Sequence, residues 1–84
     1  MKVYAIDLDG TLISKNNKPI LKNIKKVNKL FEDRNNLIII YTARSESIRK
    51  QTKNLLNKLN IKYHILQMEK LRADIYIDDK VIKW

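Results

Sequence analysis

The stretch Val3-Tyr4-Ala5-Ile6-Asp7-Leu8-Asp9-Gly10-Thr11-Leu12 decides how the chain is read. Four apolar residues run without interruption and stop at an acid, and the chain's only glycine follows closely. A continuous apolar run of this kind suits a strand buried on both faces of a parallel sheet. Gly10 and the polar segment Ser14-Lys15-Asn16-Asn17-Lys18 predict a loop over 9–18.

A helix is expected after this loop. Pro19 fits its first turn, where the missing N–H costs nothing. Ile20, Ile24, Val27 and Phe31 then form one apolar stripe, with Lys22, Lys25, Lys26 and Lys29 on the other faces and a stop near Asn35-Asn36. Leu37-Ile38-Ile39-Ile40-Tyr41 is the strongest strand signal, and it ends at Thr42. Ser45 is placed to cap a second helix, with Glu46 beside the positive end of its dipole. Ile48, Thr52, Leu55, Leu56 and Leu59 form that helix's buried side, and Asn60 its stop. Ile61 to Ile65 predicts an edge strand, and Leu66 to Arg72 a connection with one helical turn. Ala73 to Ile77 predicts a strand ending at Asp78-Asp79, and Val81 to Trp84 a fifth short strand or a packed terminus. The order β-α-β-α-β-β predicts a three-layer α/β fold, with a parallel sheet of four to five strands flanked by helices.

The 84 residues leave room for one domain, spanning 1–84, with a thin stability margin. The absence of cysteine excludes a disulfide framework and thiolate metal sites, so a metal would need oxygen ligands or His64. No run approaches the roughly 18 apolar residues that cross a bilayer. Met1 to Asp7 is too short and too soon acidic for a signal peptide, so a cytoplasmic location is expected. The net charge is +9, and fourteen of the eighteen basic residues are lysines in a chain rich in Asn and Ile. Either compositional bias or attraction to phosphate-rich partners accounts for it.

Two strands from opposite ends of the chain each terminate in paired acids, Asp7 with Asp9 and Asp78 with Asp79. Ligands of open α/β sheets bind beyond the carboxyl ends of strands, where the strand order reverses. With the first strand central and the last beside it, all four carboxylates meet there. Clustered carboxylates repel and resist desolvation unless a cation joins them. An oxygen-only donor set points to a hard ion, hence Mg²⁺. Either pair taken singly also reads as a turn former.

Asp7-Leu8-Asp9-Gly10-Thr11-Leu12, Tyr41-Thr42-Ala43-Arg44, Lys70 and Asp74-Ile75-Tyr76-Ile77-Asp78-Asp79, in this order, resemble the four motifs of the haloacid dehalogenase (HAD) superfamily of phosphohydrolases. The resemblance spans Val3 to Asp79 and implies a HAD-like, Rossmannoid fold. It makes Asp7 the nucleophile that becomes an aspartyl phosphate. Asp9 would protonate the leaving oxygen and later deprotonate water, and two acids two residues apart on a strand share one side. Gly10 permits the tight turn that follows. Thr42 would bind the phosphoryl oxygens and Lys70 would neutralise them. Mg²⁺ would be held by Asp7, the Asp9 backbone carbonyl and Asp78, with Asp79 direct or through water. Leu71 follows Lys70 where relatives usually carry proline, and Arg72 or Lys62 are competing sources of that charge. Arg44 is expected either on the substrate or as a cap or ion pair. These roles match phosphoryl transfer, which asks for positioning, positive charge and a nucleophile that divides the hydrolysis in two.

Only 32 residues separate Asp9 from Thr42 and 27 separate Thr42 from Lys70, so neither interval accommodates a cap domain. The expected site is open, or is covered by a second subunit in an oligomer. It would admit a small sugar phosphate, since the closing strand resembles capsule and lipopolysaccharide biosynthesis phosphatases. It would equally admit a phosphorylated nucleic-acid end or protein, with Lys15, Lys18 and Arg44 as local attractors. Two readings of other classes are a phosphoacceptor domain like a receiver and a non-catalytic basic binding module. A receiver lacks a second acid at the Asp9 position, and intact Asp7 and Asp9 speak against an idle module.

Overall fold

A computed structural model of the chain describes residues 1–69. Strand β1 (Lys2–Asp7) pairs in parallel with β2 (Asn36–Tyr41), running in register from Lys2 opposite Asn36 to Asp7 opposite Tyr41. A short β3 (Ile65–Gln67) pairs in parallel with the last half of β2, giving the order β1-β2-β3. Helices α1 (Leu21–Glu32) and α2 (Arg49–Lys58) make the two crossovers. The result is an α/β fold whose parallel sheet is flanked by helices, as the alternating pattern predicts.

Right-handed crossovers that extend a sheet in one direction deliver both helices to the same face. Accordingly, Ile24 and Val27 of α1 and Leu56 of α2 share one buried cluster with Ile38, Ile40 and Leu66 of the sheet. Tyr4 and Ile6 pack against that cluster from β1. Each Ile or Leu buried there is worth about 1.5–3 kcal/mol against exposure, so this cluster holds the helices to the sheet. Val3 remains 56% exposed and Ala5 is exposed, which corrects the expectation that the first strand is buried on both sides. The apolar run conceals an alternation, because both helices lie against the same side of the strand.

Three boundaries differ from those expected. Pro19 is not in the first turn of α1 but bridges to Ile13, while Ile20 N–H donates to the Leu12 carbonyl at 2.8 Å. The fixed φ of proline suits this extended segment as well as a helix start. At its other end α1 stops at Glu32, short of Asn35-Asn36, because Asp33 is extended and its Oδ1 accepts the Asn35 N–H at 2.9 Å. Ser45 does cap, but what it caps is a 3₁₀ turn (Glu46–Ile48) that feeds α2, and Ile48 is 37% exposed rather than buried. Thr52 and Leu56 are buried as expected, with Leu55 and Leu59 partly so.

The third strand shows the largest displacement. Asn60 ends α2 at φ 56°, its N–H bonded to the Asn57 carbonyl and that of Ile61 to the Leu56 carbonyl. This left-handed helix stop draws Ile61 into the core. The following backbone is held by side chains. Asn28 of α1 donates to the Asn60 carbonyl and accepts from Lys62 N–H, both at 2.9 Å. His64 Nδ1 accepts from Ile38 N–H at 2.9 Å, while its ring stacks on Phe31 with centroids 4.6 Å apart. The strand expected over 61–65 therefore starts at Ile65, and Leu66, expected in the connection, is a strand residue. The strands expected over 73–77 and 81–84, with Trp84, lie outside the described residues. No helix among residues 1–69 is long and apolar enough to cross a membrane.

His64→Ala leaves the part-buried Ile38 N–H without its acceptor, and we expect a loss of about 1–3 kcal/mol in urea unfolding. An unchanged midpoint would show that water replaces the imidazole without cost.

Candidate active site at the ends of the first two strands

Parallel pairing brings the ends of β1 and β2 together, since Asp7 stands opposite Tyr41 and Leu8 N–H donates to the Tyr41 carbonyl at 3.0 Å. Leu8 then turns inward and is fully buried, so Asp7 and Asp9 fall on the side away from it. The turn beyond is tight. Leu12 and Ile13 N–H both bond to the Leu8 carbonyl, and Gly10 N–H donates to the Ile13 carbonyl at 2.8 Å. Gly10 holds φ +88°, a conformation that L side chains rarely adopt, although a Cβ there would meet nothing within 4 Å among the described residues. The backbone angle, not crowding, calls for glycine.

Thr42, the residue after β2, is fully buried and bonded on every side. Its N–H donates to the Gln67 carbonyl, its hydroxyl donates to Asp9 Oδ2 at 2.7 Å, and its oxygen accepts from Arg44 N–H at 3.2 Å. Arg44 grips the other carboxylate oxygen of Asp9: Nε at 3.2 Å and Nη2 at 2.9 Å both reach Oδ1. Of the two roles expected for Arg44, the ion pair is present in this structure. The pair is partly exposed, so its stabilising contribution is small, on the order of 1 kcal/mol or less. The importance of the grip is positional, because it fixes a cation beside two strand-end acids.

Two residues at this rim escape a reading of the sequence. Asn17 Oδ1 accepts from Arg44 Nη2 at 2.8 Å. Glu69 N–H donates to the Arg44 carbonyl at 2.9 Å, and Glu69 Oε2 accepts from Glu46 N–H at 2.9 Å. Asn and Asp are favoured at left-handed backbone positions, which is the one signal Asn17 offers, with its φ of 58°. Nearby, the Arg49 guanidinium hydrogen-bonded to Glu46 holds the Glu46 carboxyl below its usual range, and Arg49 is raised in turn.

The structure thus brings Asp9, Thr42 and Arg44 into direct contact and sets Asp7 at the adjoining strand end. Lys70, Asp78 and Asp79 lie outside the described residues. Among the described residues no three His, Cys, Asp or Glu side chains gather as metal ligands. A recess of about 640 Å³, lined by Phe31, Lys53, Lys62 and neighbours, lies along α2 and β3 and includes neither acid.

Comparison with known proteins is consistent with this geometry. Residues 4–69 match the family of haloacid dehalogenase-like hydrolases. No curated protein matches the chain. A crystal structure of a Vibrio cholerae protein superposes with a TM-score of 0.71 at 22% identity, covering 99% of this chain and 84% of that one. A chain of the Pnkp1/Rnl/Hen1 complex superposes equally well, TM-score 0.71 at 23% identity, but this chain spans only 31% of its length. At such identities the two structures establish likeness of fold.

Replacing Gly10 separates backbone strain from space. We expect Gly10→Ala to lower stability by about 1–2 kcal/mol in urea unfolding and Gly10→Asn by less, since Asn tolerates positive φ. Equal losses for the two would place the constraint in the side chain.

Proposed function

The chain belongs to the haloacid dehalogenase-like hydrolases, and on that premise we propose that it is a magnesium-dependent phosphatase acting on a phosphomonoester. The observation that carries this reading is the convergence of Asp7 and Asp9 with Thr42 and Arg44 where β1 and β2 end.

In the proposed reaction a carboxylate oxygen of Asp7 attacks phosphorus and the ester P–O bond breaks. The electron pair leaves on the departing oxygen, which takes a proton from Asp9. Water then loses a proton to Asp9 and attacks the same phosphorus. The bond to Asp7 breaks, and the products are inorganic phosphate and the free carboxylate. Thr42 is seated to hold Asp9 in place through its hydroxyl, and in turnover it would serve the phosphoryl oxygens. Arg44 and Lys70 supply the positive charge that spreading phosphoryl charge requires. The donor set fits a hard cation: Asp7, the Asp9 backbone carbonyl, Asp78 and Asp79 offer oxygen alone, and the chain has no cysteine. Mg²⁺ bound there would neutralise phosphate charge and orient it for in-line attack.

Between Asp9 and Thr42 the chain holds a loop, α1 and β2, and between Thr42 and Glu69 a short turn, α2 and β3. These intervals support a capless, open site. We take the substrate to be a phosphorylated small molecule, a sugar phosphate before others, or a phosphate at the end of a macromolecule such as nucleic acid. A cytoplasmic setting and an oligomer that covers the site belong to the same reading.

Asp7→Asn should reduce turnover of p-nitrophenyl phosphate by about a thousandfold or more while the circular dichroism spectrum stays unchanged. Normal turnover by that variant would remove Asp7 as nucleophile. Chelation should abolish activity and added Mg²⁺ restore it, with a raised Mg²⁺ requirement in Asp78→Ala. If Asp78→Ala keeps the wild-type magnesium dependence, Asp78 is not a ligand.

A further inference from the structure

We infer that Asn17 is a positioning residue, whose side-chain carbonyl, with Asp9, sets the Arg44 guanidinium for binding of the substrate's phosphate. The inference rests on the proposed role of Arg44 toward phosphate and adds to it the loop that holds that side chain.

Three observations carry it. First, the loop over 14–18 is built to present Asn17. Ser14 N–H donates to the Lys18 carbonyl at 2.8 Å, Asn17 N–H to the Ser14 carbonyl at 3.0 Å, and Lys18 N–H to Ser14 Oγ at 3.3 Å. Closing this turn leaves Asn17 at φ 58°, a conformation that asparagine tolerates better than most residues. Second, the Asn17 carbonyl bonds across 27 positions of sequence to Arg44 Nη2, so the guanidinium is gripped from the loop as well as from Asp9. A planar guanidinium held on two sides is fixed in orientation as well as place. Third, the grip consumes Nε and Nη2 and leaves both N–H groups of Nη1 without a partner among the described residues. Those donors are what a phosphate oxygen would meet beside the strand-end acids. Exposed arginines lose several rotamers when they bind, and a side chain already ordered avoids that loss.

Asn17→Gly tests this cleanly, because glycine keeps the positive φ and deletes only the acceptor. Two readouts are needed: the dissociation constant of inorganic phosphate with Mg²⁺, from NMR titration, and kcat against KM on p-nitrophenyl phosphate. We expect Asn17→Gly to weaken phosphate binding and raise KM by about fivefold, the factor one hydrogen bond is worth, with kcat nearly unchanged. Asn17→Asp, which keeps an acceptor on a residue tolerant of this φ, should retain near-native affinity. In an Arg44→Ala background, Asn17→Gly should have no further effect on phosphate affinity. An unchanged affinity in Asn17→Gly, or the same loss with and without Arg44, would overturn the inference, as would a wild-type chain that does not bind phosphate. Phosphate binding that responds as expected, in a chain that turns over no ester, would sink the phosphatase reading and leave this inference standing.

Discussion

The in-register parallel pairing of β1 with β2 is the constraint on which the rest depends. It aligns Asp7 with Tyr41 and so delivers the residues beyond each strand, Asp9 and Thr42, to the same edge. Thirty-three positions of sequence become 2.7 Å of space between a hydroxyl and a carboxylate. Neither strand alone makes a site. A one-residue slip would send the alternate side chains to the edge and put Leu8, now fully buried, where an acid must stand.

Both crossovers lay their helices against the same face of the sheet, which concentrates the described core on that side. The loop after β1 gains from this. Leu12 and Ile13 are fully buried and anchor it to the core, while Ser14 to Lys18 stay at the surface within reach of Arg44. Buried anchors at one end and a polar tip at the other let a short loop contribute a side chain to the site without an inserted domain.

Much of this was legible in the residues themselves. The continuous apolar runs located β1 and β2, though not the alternation within β1, and the apolar stripes placed both helices. Of the site, the acids at the end of β1 are readable from their position, while Thr42 at the end of β2 stands out only through the family resemblance. What escaped depends on distant partners. Nothing near His64 announces that its ring will stand in for a strand's acceptor at Ile38, so the sequence pattern alone puts β3 too early. Nothing near Asn17 or Glu69 announces a bond to Arg44, because those bonds exist only after the chain has folded. Pro19 failed for a different reason, since its preferred φ serves two conformations and the neighbours chose between them.

The positive φ of Gly10 has a chemical corollary. A backbone at φ +88° is poorly suited to an L residue but is open to its mirror image, and among the described residues nothing lies within 4 Å of the missing Cβ. Chains of this length are within reach of total synthesis, and a D-alanine at that single position would suit the backbone angle while narrowing the unfolded ensemble. Handedness, rather than size, is what the turn after the first strand selects, so its rigidity can be raised without touching any group that meets the ligand.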